Sequence, residues 1–406
     1  MGILFSSQQP LETRESVVRQ PRITTLFGTL SALAATGSIA AQQKVALAKP
    51  VAETAESFTA ISSIRELPSG KVLVADQRDK IVQLLDLTTG SMTKVGREGS
   101  GPGEYAFAGT LIGLPDGTTL LHDLLNRRFL TISADGKAGD FLEMPRPPAG
   151  TAPAGGGGPI VLGGITNVRG YDARGRIYFG GSPFSATGGT ADSVPLLRWD
   201  RVKPTFDTVG FLKQPAGSAQ RTQSGGNVTI RMGNNVRFTP METWGVAADG
   251  SVARVFPEPY RIAWVTGRGQ AALGPVIPYT PMKVTEADKK EVMDAMRRAP
   301  PTMIVMGGPG GGARPGGAAP GGFQPPPPEF AETKPAYDGQ GAVLVAPEGE
   351  VWVLRTRPAG DKIPTYDVFD RTGALVKKVS LNPSSRVVGF GKGVVYVARS
   401  DEDDLV

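Results

Sequence analysis

Cysteine is absent from all 406 residues, and histidine occurs once, at His122. The first absence rules out disulfides, thiolate metal ligands, a nucleophilic thiol and a lipid-bearing cysteine. The second rules out three-histidine metal sites and paired-histidine acid–base chemistry within one chain. A Ser-His-Asp triad would have to use His122, and no G-x-S-x-G elbow accompanies it. Charge is sparse, at 20% of residues, with 44 basic against 38 acidic side chains and a net charge of +6. No basic cluster interleaved with aromatic residues goes with that small excess, so no nucleic-acid partner is expected. The glycine runs Gly155 to Gly158 and Gly307 to Gly312 are phosphate loops in composition only, since neither is followed by Gly-Lys-Ser/Thr.

Glycine and proline are abundant, at 54 and 35 residues, and apolar residues make up 40% of the chain. That combination fits a large, turn-rich β domain and disfavours a helical bundle. A short phrase recurs six times: a turn ending in glycine, then a strand of alternating or continuous apolar residues. The glycines are Gly70, Gly117, Gly175, Gly250, Gly349 and Gly393. Each phrase reads as a β-hairpin, which cannot bury its apolar face alone. Six of them predict an all-β fold, a six-bladed β-propeller of four-stranded antiparallel blades. Blade one is expected at Ile61 to Leu67, Lys71 to Asp76, Ile81 to Asp86 and Met92 to Val95. Blade two repeats it with Thr119 to Asp123 and Arg128 to Ser133.

The ends of the chain depart from this pattern. Arg14, Arg19 and Arg22 precede an uncharged stretch from Ile23 to Gln43, and small residues at Ser38 to Ala41 offer a cleavage point. Residues 1–41 therefore read as a signal peptide, cut after Ala40 or Ala41, leaving a propeller over 42–406. The stretch is too rich in Thr, Ser and Gly for a lasting membrane span. A periplasmic or secreted monomer without stable membrane insertion is the expectation. After the sixth hairpin come only the acidic run Asp401 to Asp404, Leu405 and Val406, so the last blade must close with the N-terminal segment around Val45 to Val51, or else the chain is truncated.

Within 278–330 lies the largest insertion. Thr285 stands three residues before Asp288, and Lys289 to Arg298 has helical spacing stopped by Pro300-Pro301, which predicts one short helix. The Gly/Pro-rich stretch from Pro300 to Pro328 carries too little apolar surface to offset the entropy of ordering, so it is expected to be disordered.

Between the first two blades stands Gly96-Arg97-Glu98-Gly99-Ser100-Gly101-Pro102-Gly103-Glu104-Tyr105. This resembles the glycine segment that precedes blades in NHL-repeat proteins, and more closely that of bacterial exported six-bladed β-propeller proteins. Asp76 with Arg78 to Ile81 is similar to the same group's D-x-x-N-x-R-I pattern, with Asp79 at the Asn position. Ser193 to Arg201 and Phe256 to Val265 resemble its middle blades. The resemblance implies architecture and export, and no particular activity.

Functional expectations are modest. His122 is expected to be structural or solvent-exposed, and the four tryptophans, Trp199, Trp244, Trp264 and Trp352, to pack in the core and between blades. Asp76, Arg97, Glu104 and Asp123 lie at strand ends and the blade crossover, where side chains could converge on a ligand. The leading expectation is a non-enzymatic exported propeller binding an unidentified protein or small ligand at one mouth of its tunnel, with no cofactor and no catalytic residues. The alternative is a metal-dependent, lactonase-like hydrolase or lyase using tunnel carboxylates, with calcium as its ion.

Overall fold

A computed structural model describes residues 2–7, 43–47, 49–54, 57–145, 168–181, 192–215, 219–224, 227–232, 236–266, 271–298, 304–305, 314–315 and 327–400. Blade one consists of Ile61–Glu66, Val72–Asp76, Ile81–Asp86 and Ser91–Lys94, each antiparallel to the next. Blade two follows with Leu111–Gly113, Thr119–Asp123, Arg128–Ile132 and Ala138–Glu143, and blade three with Val168–Tyr171, Ile177–Gly180, Ser193–Asp200 and Thr205–Lys213. Blade four is Thr243–Val246, Val252–Pro257, Tyr260–Val265 and Ala271–Leu273. Blade five is Val343–Val345, Val351–Leu354, Thr365–Phe369 and Leu375–Ser380. The segments resembling middle blades thus supply the third strands of blades three and four.

Five blades, rather than the six expected, are built from consecutive strands, and their first turns share one geometry. In blade one Leu67 N donates to Lys71 O at 2.8 Å and Gly70 N to Leu67 O at 2.9 Å. The same pair of bonds closes the turns at Gly117, Gly175, Gly250 and Gly349. Those five glycines have φ between +73° and +93°, a region that a Cβ penalises, which is why glycine ends each phrase. The sixth phrase is different: Gly391 pairs directly with Val394 across a two-residue turn, Lys392-Gly393. Its hairpin, Ser385–Gly391 and Val394–Arg399, takes its other strands from the N-terminal region, in the order Ala52–Glu53, Gly2–Ser7, Val394–Arg399, Ser385–Gly391. Residues assigned from sequence to a signal peptide are therefore paired in this sheet. Gln43–Ala46, expected near the closure, instead runs parallel to Leu375–Ser380 as a fifth strand on blade five.

The inner strands pack side by side from Ser385–Gly391 to Ile61–Glu66, then Leu111–Gly113, Val168–Tyr171, Thr243–Val246 and Val343–Val345. Apolar side chains fill the space between neighbouring sheets. Leu73, Val82, Tyr105 and Leu121 lie between blades one and two; Phe129, Ile177 and Trp199 lie between two and three. Tyr260, Val353 and Phe369 join blades four and five, Trp352 and Val397 join blade five to the terminal sheet, and Val74 and Tyr396 join that sheet to blade one. All four tryptophans are buried, as expected. Second strands read as continuous apolar runs because they are covered on both faces: every residue of Val72–Asp76 and of Thr119–Asp123 is buried.

The helix is Glu286–Arg298, opened by a reciprocal cap in which Thr285 N donates to Asp288 Oδ2 at 2.8 Å and Asp288 N donates to Thr285 Oγ1 at 3.3 Å. The stretch expected to be disordered lies outside the described residues, except for the short pairing of Ile304–Val305 with Arg314–Pro315 and the residues from 327 onward.

Candidate functional site

Because the strands of each blade alternate in direction, the first and third turns lie at one end of the blade. The second turn and the link to the next blade lie at the other. The outer strands of blades one to four end, and the inner strands of blades two to five begin, at that second face, so each link between these blades leaves and re-enters the sheets there.

All four residues singled out from sequence stand on this face, and three of them converge. Asp123 ends the second strand of blade two with no exposed surface. It accepts hydrogen bonds from Ala106 N at 3.2 Å, Asn126 Nδ2 at 2.7 Å and Asn126 N at 3.4 Å, with Arg128 Nε 3.6 Å away. Burial pushes its carboxyl above the usual range, although the bonds from Asn126 and Ala106 and the Arg128 charge oppose this. In the crossover loop, Arg97–Glu98 runs parallel to Glu104–Tyr105. Glu104 accepts from Gly101 N at 2.7 Å and from Arg97 Nε at 2.8 Å, and both lower its carboxyl. Arg128 binds the loop to blade two by donating to Ser100 O at 2.8 Å and Glu104 O at 2.9 Å, and its guanidinium lies 4.4 Å from the Phe141 ring centre. A Cβ at Gly96 would stand 2.6 Å from Gly103 O, so the two arms of the loop approach closely only with glycine there.

Asp76 stands apart, at the equivalent turn of blade one. It accepts from Ala60 N at 2.8 Å, Arg78 N at 2.9 Å and Asp79 N at 3.0 Å. Both aspartates thus cap their own turn and hold the link that enters the blade. Four residues after each aspartate the chain turns left-handed, at Lys80 with φ 53° and Arg127 with φ 55°. His122 is buried and packs on Phe129, with ring centres 5.6 Å apart. Among the described residues no group of three or more His, Cys, Asp or Glu comes together as a metal cage would require.

Closer to the axis lie residues the sequence reading missed. Arg169 donates from the inner strand of blade three to Trp244 O at 3.1 Å and Thr243 Oγ1 at 3.2 Å. Burial lowers its guanidinium to about 10. Arg386 in the terminal sheet reaches Ile61 O of blade one at 3.1 Å, and Arg65 reaches Thr118 O of blade two at 3.0 Å. These arginines clasp one inner strand to the next through backbone carbonyls and, at Arg169, the Thr243 hydroxyl.

Asp338 stands just ahead of the inner strand of blade five. It is open to solvent yet ringed by protein: desolvation pushes its carboxyl up, and the Arg237 charge offsets this in part. Next to Arg237, Phe238 is held at φ 62°, a conformation that bulky side chains avoid and that is concentrated at functional positions. Its ring packs 6.3 Å from that of Phe330 and lies 5.8 Å from Lys334 Nζ. The one signal in the sequence was Asp338-Gly339, a turn pair directly before the apolar run Ala342 to Val345.

Between blades four and five Asp367 is fully buried, with Oδ2 accepting from Arg355 Nη1 at 2.6 Å and Tyr260 OH at 3.1 Å. Burial and the Asp367 charge raise the Tyr260 hydroxyl well above its usual value. Arg355 lies 5.4 Å from the Tyr260 ring centre and 4.9 Å from that of Tyr279, which fixes the guanidinium as an interblade wedge.

No protein-family profile matches the chain, and no curated protein matches it. Solved structures similar to it include a Bacteroides fragilis protein described as exported, at 11% identity and TM-score 0.38, covering 80% of this chain and 72% of that one. A member of the DUF4221 family from Bacteroides vulgatus matches at 7% identity and TM-score 0.39, covering 84% and 93%. Virginiamycin B lyase from Staphylococcus aureus matches at 12% identity and TM-score 0.31, covering 84% and 94%.

Proposed function

We propose that this protein is an exported, non-enzymatic β-propeller that binds a small ligand or a protein segment at the mouth on its connection-bearing face. In this reading the terminal sheet acts as a sixth blade of the NHL-like kind, and residues 1–41 direct export without being removed, since Gly2–Ser7 is a strand of that sheet. The observation that carries the reading is Asp338, a solvent-exposed carboxylate on the connection-bearing face whose carboxyl is pushed up by desolvation, with the Arg237 charge near it and Phe238, at φ 62°, next to that arginine. Such a set offers a hydrogen-bond acceptor, a cation and an apolar face to one ligand. Asp76, Arg97, Glu104 and Asp123 serve this site by fixing the loops around it, and their hydrogen bonds to backbone amides and to one another support that role. The helix Glu286–Arg298 is the longest ordered element beside the mouth, and none of the described helices is long and apolar enough to cross a membrane.

A second reading, the metal-dependent hydrolase or lyase, rests on the same carboxyl, because a carboxyl raised by desolvation is suited to proton transfer.

Native mass spectrometry of the protein purified from exporting cells tests the location. Wild type should carry an adduct that Asp338→Asn or Arg237→Ala removes, whereas Lys392→Ala, at the opposite face, keeps it. An adduct that survives both mouth variants and is lost from Lys392→Ala would place the binding face at the other end.

A further inference from the structure

Away from the mouth, a groove of about 570 Å³ runs between the outer edge of blade one and the outer turn of blade two. One wall is Thr93 to Arg97, where the outermost strand of blade one leaves the sheet. The other is Asp135 to Ala138, with Gly103 closing the end, and Leu84, Val95 and Ala138 give the groove an apolar floor. Three cations, Lys94, Arg97 and Lys137, face it against one carboxylate, Asp135. Lys137 is paired with Asp135 at 2.8 Å and Arg97 with Glu104 at 2.7 Å, so among the described residues Lys94 is the cation these pairs leave over.

The wall at Ser91–Lys94 is also a sheet edge, since among the described strands it pairs with Ile81–Asp86 alone. Val95 N donates inward, to Val82 O at 2.8 Å. Successive amides of an extended strand point in opposite directions, so the Lys94 amide points outward from the sheet. An unpaired edge of this kind is a template for another strand.

We propose that this groove is a docking site for an acidic peptide segment of a partner protein, bound as an added strand on the Ser91–Lys94 edge. Every second side chain of the peptide would settle on Leu84, Val95 and Ala138, and its carboxylates would meet Lys94, Lys137 and Arg97. The apolar floor supplies affinity, the open edge supplies register, and the cation excess selects acidic over basic sequences. The groove shares the crossover loop, through Arg97 and Gly103, with the mouth, but Lys94 and Lys137 lie outside that loop, so variants at those two lysines test the groove without touching the mouth.

The test is fluorescence anisotropy of a labelled heptapeptide in which Glu or Asp alternates with Val, titrated with the full-length protein. Its counterpart has Lys at each acidic position. The acidic peptide should bind, and raising the salt to several times physiological should weaken it. Lys94→Glu with Lys137→Glu should weaken binding by about tenfold. Lys94→Pro removes both the charge and the outward amide and should cost more than Lys94→Met, which removes the charge alone; proline is tolerated at an edge position whose N–H points outward. Melting curves confirm that the variants are folded, and Lys94→Met alone keeps the test decisive if the proline variant is not. Equal binding of the basic peptide, or binding indifferent to Lys94→Met and to the charge reversals, would overturn the proposal.

Discussion

Replacing Arg128 with Met should destabilise the protein by about 3–5 kcal/mol, the range for breaking a buried ion pair by removing one partner. Arg128 is 7% exposed and donates to Ser100 O, Gly101 O and Glu104 O while standing beside the fully buried Asp123. Met keeps much of the contact with Phe141 but takes the Arg128 donor from Ser100 O and Glu104 O, while Gly101 O keeps Glu104 N at 3.1 Å. It also strips Asp123 of the charge that opposes the upward shift of its carboxyl. The loss should appear in urea denaturation as a lower midpoint. In hydrogen exchange it should appear as faster exchange of the Gly99 and Gly103 amides, which bond to Tyr105 O and Gly139 O. A loss below about 1 kcal/mol, as for a surface ion pair, would mean that Arg128 does not hold the crossover.

Lys334→Met should release the helix Glu286–Arg298 from the blades. Lys334 Nζ donates to Asp288 Oδ1 at 2.6 Å and to Arg357 O at 2.5 Å, with both side chains of the ion pair almost fully buried. Without the lysine the Asp288 carboxylate keeps only its Thr285 contacts, and a local cost of about 2–4 kcal/mol follows. The same pair makes helix docking depend on pH. Burial opposes ionisation of Asp288, but hydrogen bonds from Lys334 and Thr285 outweigh it and bring the carboxyl down to about 2. A folded value below the unfolded one, about 3.9, means that the stabilisation is full above the unfolded value and fades as pH falls through the folded one. Helix amides should therefore be protected at pH 6 and lose protection between about pH 4 and pH 2. In Lys334→Met the loss should move to higher pH. Unchanged protection in that variant would show that the helix is held by other contacts.

The repeated architecture was legible because its cause is local. A left-handed turn position favours glycine, and five of the six glycines that marked the phrases sit in turns of one geometry. The helix was legible for a similar reason, since Thr285 and Asp288 cap it through contacts three residues apart. Closure of the terminal sheet was not legible. Gly2–Ser7 reads as part of a leader, and nothing local distinguishes a strand that pairs almost the whole length of the chain away. The candidate residues show the same divide. Arg97 and Glu104 were singled out because they belong to a compact motif and Asp123 because it ends a strand, while Arg128, which holds the crossover to blade two, lies on the third strand and looks like any strand arginine. Asp338, Arg169 and Arg386 come from different blades and gain their setting only when the inner strands are brought side by side, so no spacing in the sequence announces them.

In the proposed function the mouth binds a ligand through its side chains and does not work through a resident metal. Native mass spectrometry of the purified chain, paired with melting curves across a calcium titration, tests it most directly, since an ion that binds the native state raises the melting temperature. No stoichiometric ion should be found, and calcium should leave the melting temperature unmoved. One tightly held calcium per chain, with a melting temperature that rises as calcium is added and no longer rises in Asp338→Asn, would contradict it and establish the metal-dependent reading.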